Sequence, residues 1–122
     1  MTPEFEQARG RIEVFCSKWD KLMDMGWLSI KDTFNPNYSE DEKYIVAETE
    51  VDWEYRAGVR DWRLPRVCAI ADDTLEAVVV HENVHLLIAS MESLIKPSDS
   101  KMCEFAVESI ARAILSVHRG SK

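Results

Sequence analysis

The chain has 122 residues, a length that suits one compact domain, taken here as 1–122, and leaves little room for a second. A hydrophobic fraction of 46% supports one buried core, while a formal charge of −7 argues against a nucleic-acid binder, which usually carries a basic stripe. No apolar run approaches the roughly 18 residues of a membrane span, and neither a polybasic segment nor a secretory leader is legible, so a soluble cytoplasmic protein without a membrane partner is expected.

The first element is a helix over 3–24. Phe5, Ala8, Ile12, Phe15, Trp19 and Leu22 recur at steps of three and four, with Thr2-Pro3 as its start and Gly26 as its stop. Residues 27–31 read as a first strand, and the Asn- and Pro-bearing acidic stretch 35–42 as a loop. Residues 44–51 and 56–63 read as strands joined by Asp52-Trp53-Glu54-Tyr55, with a further short strand over 66–71 after Pro65. A helix from Asp73 to Ile95 follows, with Asp73 and Glu76 as a capping box, and then a helix from Ser100 to Arg119 stopped by Gly120. This order predicts an α+β fold: an N-terminal helix, a small, mainly antiparallel sheet of three to four strands, and two closing helices.

Cys16, Cys68 and Cys103 are odd in number and far apart, so they read as small buried hydrophobes in a reducing compartment. Trp53, Tyr55 and Trp62 read as sheet packing, and Arg56, Arg60, Arg63 and Arg66 as a solvated sheet face. The acidic 39–43 stretch reads as a solvated loop.

One segment carries chemistry. His81-Glu82-Asn83-Val84-His85 is an HExxH pattern in the middle of a predicted helix. Histidines four apart project from adjacent turns of one face, so both imidazoles reach a single ion, and zinc takes nitrogen at about 2.0–2.1 Å. The intervening glutamate sits off the ligand line, placed to hold water. On a helical wheel Glu76, Asn83 and Ser90 form one narrow polar stripe, with His81 and His85 opposite it among apolar residues. A helix apolar nearly all round is buried, and buried imidazoles need partners, which a metal and its water would supply.

Glu92 shares the histidine face but lies about 10 Å further along the axis than His85, too far to complete the same shell. Ile88 and Met91 stand where the extended HExxHxxGxxH pattern needs glycine and histidine, so that type is excluded. The remaining candidates are Glu104 and Glu108, at the margin of the last helix's apolar stripe. The wheel leaves them open between solvated carboxylates and a site pair, with Glu104 as third ligand and Glu108 as acceptor for a ligating histidine's free nitrogen.

HExxH followed by a Glu-bearing helix resembles the gluzincins, whose later motif is a ligand Glu followed four residues on by an acidic residue supporting a histidine. Glu104 matches the ligand and Glu108 the support, where larger members usually carry Asp. Size and element order resemble the minigluzincins and the short HExxH proteins of bacteriophage genomes, including an Asp-x-x-Tyr-Arg turn matched by Asp52 to Arg56. The resemblance covers about residues 27–117 and lacks the Asn-Ala edge-strand pattern with which larger gluzincins hold an extended substrate. It implies a minimal zincin-like metallopeptidase acting on a peptide or protein, with zinc as cofactor on His81, His85 and Glu104 and with Glu82 as general base. Tyr55 and His118 are the candidates for stabilising the oxyanion. The alternative is a zinc-binding but latent or inactive regulatory module of phage or bacterial origin, with its metal covered by residues 118–122 or by the 35–42 loop.

Overall fold

The computed structural model describes residues 2–37 and 44–120. Helix α1 spans Pro3–Leu22, strands β1, β2 and β3 span Ser29–Asn35, Ala47–Asp52 and Ala57–Arg63, and helices α2, α3 and α4 span Leu64–Cys68, Asp72–Glu92 and Ser100–Gly120. Single 3₁₀ turns, Trp53–Tyr55 and Pro97–Asp99, join β2 to β3 and lead into α4. The fold is α+β, four helices with a three-stranded mixed sheet among the described residues. The expected acidic loop over 39–43, and most of the 35–42 segment, lie outside the described residues, as do residues 121–122.

The start of α1 is as expected: Thr2 Oγ1 accepts from the Phe5 amide at 3.3 Å, and Pro3 opens the first turn. Its end is not at Gly26. Asp24 takes the left-handed conformation at φ 54°, and the Met25 amide reaches back to the Asp20 carbonyl at 2.8 Å. Aspartate tolerates this geometry, so the helix closes earlier.

The sheet departs from the expected antiparallel arrangement. Its order is β1-β3-β2; β2 and β3 form an antiparallel hairpin, but β3 lies parallel to β1. The hairpin folds β3 back into the centre, alongside β1, and leaves β2 at an edge. Arg56 makes the turn at φ 54°, and its carbonyl accepts from Ser29 at 2.8 Å, which ties the hairpin to the start of β1.

The expected strand over 66–71 is instead α2. Pro65 lies in the first turn of a helix rather than ahead of a strand, and Leu64 and Val67, three apart, are both fully buried. Arg11 holds its end, donating to the carbonyls of Val67 at 3.1 Å and Ile70 at 2.8 Å. The capping box at α3 does not form either. Ala71 is the cap residue, without a side-chain bond, and Glu76 turns inward to accept from Lys18 Nζ at 2.7 Å and Trp19 Nε1 at 2.8 Å.

The core joins Ala8, Ile12 and Trp19 of α1, Trp62 of β3, Leu75, Val79, Val80 and Val84 of α3, and Val107, Ala111 and Leu115 of α4. Cys16 belongs to it, its thiol pushed up to about 12 by burial; Cys68 is exposed and Cys103 half-buried, unlike the expectation for all three. Trp62 packs as expected, while Trp53 and Tyr55 sit on the exposed turn.

Arg56 is exposed and Arg66 half-buried, but Arg60 and Arg63 are not part of a solvated face. Register places Asp32, Arg60 and Thr49 side by side across the inner surface of the sheet. Arg60 is 1% exposed, and its five N–H groups are all used. Nε and Nη2 donate to Asp32, Nη1 and Nη2 to Asp20, and Nη1 also to Asn83, at 2.7–3.0 Å. Burial opposes the charged form, but the Asp20 and Asp32 carboxylates outweigh it and keep the guanidinium ionised. Arg63 is also buried, beside Glu48 and Asp61.

Arg60→Ala should lower the unfolding free energy by about 3–5 kcal/mol in urea titration, because Asn83 and two carboxylates lose a shared partner; a loss below about 1 kcal/mol would contradict this role. Burial works against ionisation of Glu76, but the bonds from Lys18 and Trp19 prevail and hold its carboxyl below its ordinary value. A depressed folded-state value gives stability that is present above the unfolded value and lost as pH falls through the folded one. Glu76→Gln should therefore unfold with a shallower pH dependence than the parent chain between pH about 5 and 3. An unchanged slope would remove Glu76 from the acid response.

Candidate metal centre

Helix α3 crosses the inner face of the sheet with Asn83 fully buried and turned to Asp20 and Arg60. At 100° per residue, His81 and His85 then fall about 160° to either side of Asn83, on the opposite face. That face meets α4. The polar stripe of Glu76 and Asn83 is thus the inward side of α3, and the histidines are half-buried, their side chains 21% and 16% exposed.

Val107, fully buried, seats α4 so that Glu104 and Glu108, on adjacent turns, flank the two rings. His81 Nε2 lies 3.3 Å from one oxygen of Glu104, and His85 Nε2 lies 3.0 Å from the other. One ligand atom from each of His81, His85 and Glu104 falls within 4.8 Å of the other two. The opposite ring nitrogens are also engaged. Nδ1 of His81 meets Glu108 Oε2 at 2.9 Å, and Nδ1 of His85 meets Glu92 Oε1 at 2.8 Å. Arg112 donates to Glu108 at 2.9 Å; this bond, against a smaller opposing effect of burial and aided by His81, holds the Glu108 carboxyl low.

These contacts set the chemistry of the rings. An ionised carboxylate only accepts, so each Nδ1 carries the proton, and in the neutral ring Nε2 presents a lone pair. In neutral rings two lone pairs then face the two oxygens of Glu104, an arrangement that a cation among them would satisfy; in protonated rings each Nε2–H would donate to Glu104 instead. Ligand atoms around a tetrahedral ion at about 2.0–2.1 Å stand roughly 3.3 Å apart, close to the separations across Glu104. Two imidazoles and a carboxylate are also a donor set that zinc accepts. The residues present fit the ion.

Glu82 lies off the ligand line, 6% exposed, with Oε2 accepting from Thr49 Oγ1 at 2.6 Å. Burial pushes its carboxyl up; the Thr49 bond and the two histidines oppose this, and Glu104 adds to it. Two clefts flank the centre along β2. One, of about 390 Å³, is bordered by His81, Glu82 and Glu108 with Tyr44 to Ala47; the other, of about 360 Å³, by His85, Thr49 and Trp53.

All five site residues singled out from the sequence come together. Tyr55 and His118 do not join them: Tyr55 is exposed on the β2–β3 turn, and His118 packs edge-on against Trp19 at 4.9 Å between ring centres. Two residues escaped the sequence reading. Thr49 carries no local signal, since its role depends on strand register. Glu92 does carry one, a place on the histidine face; its axial distance keeps it from sharing an ion with His85 Nε2 and still leaves it in reach of Nδ1.

The site also depends on how closely α3 approaches the sheet. A Cβ at Gly58 of β3 would stand 2.5 Å from Leu86 Cδ2, and Leu86 is 2% exposed. Gly58→Ala should cost about 1–3 kcal/mol by thermal or urea unfolding, as overpacking does; a variant as stable as the parent chain would show that α3 has room to spare. Among known proteins, no family model, no curated sequence and no solved structure matches the chain.

Proposed function

We propose that the chain is a zinc-dependent metallopeptidase of gluzincin type, with a minimal zincin-like fold, in which His81, His85 and Glu104 hold the ion. The observation that carries this reading is the convergence of both Nε2 atoms on the Glu104 carboxylate, at 3.3 and 3.0 Å, beside the buried Glu82. Glu104 is 57% exposed, which favours a centre that substrate and water reach.

When bound, zinc supplies Lewis acidity, making water acidic near neutral pH and polarising a carbonyl. Glu82 takes the proton of the attacking water and delivers it to the leaving nitrogen. Its burial suits that exchange, because a carboxyl pushed above its ordinary value by desolvation holds a proton more readily than an exposed one. Thr49 fixes one oxygen of Glu82 and leaves the other for the transfer. Glu108 holds His81 with its Nε2 towards Glu104. Among the described residues β2 is an edge strand and runs past Glu82, a placement that suits an extended peptide adding main-chain hydrogen bonds along it.

A second reading has one observation in its favour: neither Tyr55 nor His118 borders the two clefts, so both residues named for the oxyanion are elsewhere. On that reading the chain binds zinc without turnover and serves as a binding or regulatory module.

Elemental analysis should find about one zinc per chain, lost in the His81→Ala/His85→Ala double variant. Glu82→Gln should keep the metal while turnover of peptide substrates falls by about 10²–10⁴-fold. Full activity in Glu82→Gln would sink the mechanism. One bound zinc with no turnover by the parent chain would select the second reading, and absence of zinc from both proteins would overturn both.

A further inference from the structure

Each histidine of the pair has its own carboxylate, and the two carboxylates come from different places. Glu108 reaches His81 from α4, whereas Glu92 reaches His85 from the end of the histidines' own helix. Seven residues separate His85 from Glu92, about 10 Å of helical rise. A long helical side chain points back towards the N-terminus, so the Glu92 carboxylate covers much of that gap and meets Nδ1 at 2.8 Å.

The location of Glu92 is costly in itself. Carboxylates are disfavoured at a helix C-terminus, where the backbone dipole is negative, and the last turn of α3 carries no basic residue to offset it. The Glu92 side chain is only 28% exposed; one of its oxygens meets the His85 ring at 2.8 Å, and the Cys103 thiol of α4 hydrogen-bonds to Glu92 as well. A carboxylate kept there at some cost to the helix, and aimed at a ring nitrogen, serves the ring.

We infer that Glu92 is a positioning residue for His85: it holds the proton on Nδ1 and turns Nε2 to the Glu104 carboxylate before any ion arrives. The inference rests on the metal reading and deepens it. The carboxylate that meets Nδ1 of His85 comes from α3, while the one that meets Nδ1 of His81 comes from α4. The two rings are therefore oriented by separate carboxylates that can be removed one at a time.

The test is zinc titration against a competing chelator, with Glu92→Ala and Glu108→Ala beside the parent chain. Removing the carboxylate behind a ligating histidine weakens metal affinity by about 10–100-fold, and each variant should show that loss. Imidazole N–H resonances of the zinc-loaded proteins give a readout that a merely structural role would not move. The parent should show two protected Nδ1–H signals; Glu92→Ala should lose that of His85 alone, and Glu108→Ala that of His81 alone. Metal-free Glu92→Ala should unfold at the parent's temperature or above it. Should it fail to fold, the near-isosteric Glu92→Gln carries the same comparison, with a loss near tenfold. Zinc bound as tightly by the Glu92 variant as by the parent, with the His85 signal kept, overturns the positioning role and leaves the metal reading standing. No zinc bound by the parent overturns both.

Discussion

A guanidinium sealed in a protein interior must place every N–H on an acceptor, because an unpaired buried donor or charge costs several kcal/mol. Arg60 meets that demand with groups drawn from α1, β1 and α3 while standing on β3 itself. Four elements are thereby tied to one planar fork whose geometry allows little slack. The apolar core supplies most of the driving force, but it is tolerant of rotation. The Arg60 cluster is not, and it decides which face of α3 looks inward. With Asn83 held, the histidines have one direction left to them, towards α4. In the same sheet row, one strand over, Thr49 receives Glu82. The histidine face of α3 and the Glu82 carboxyl are thus placed by a single polar row across the sheet.

Much of the site was legible because it depends on helical period alone. His81 and His85 lie four apart, as do Glu104 and Glu108, and any two packed helices carrying such pairs can bring them face to face. The buried valine between the two glutamates, Val107, seats the second helix, and its burial was implied by the apolar stripe. The α+β class was equally legible, since three long amphipathic or apolar segments surround a stretch of short alternating ones.

What the sequence hid was long-range. The parallel pairing of β1 with β3 is written in no local pattern, because period-two alternation says which face a residue takes and nothing about its neighbour strand. Arg60 was read as solvated since arginines usually are; its burial depends on Asp20 and Asp32, distant in sequence and brought together by the fold. Glu76 and Asn83 were polar for an interior reason rather than a surface one. The helix α2 is shorter than the windows over which periodicity becomes visible, and a proline that opens a helical turn has the same local pattern as one that precedes a strand. Glu92 was set aside by a sound distance argument applied to the wrong atom: it is too far for the ion that Nε2 would bind, and well placed for Nδ1.

The alternation along β2 has a consequence for the molecule in company. Ala47, Thr49 and Val51 turn inward, and Glu48, Glu50 and Asp52 turn out, so the edge strand shows solvent a row of like charges. A second copy pairing there, edge to edge, would bring two such rows together, and the repulsion opposes the intermolecular sheets through which exposed edges aggregate. A foreign strand without that acidic row meets no such barrier. The acidic row therefore guards this edge against pairing with a second copy of itself.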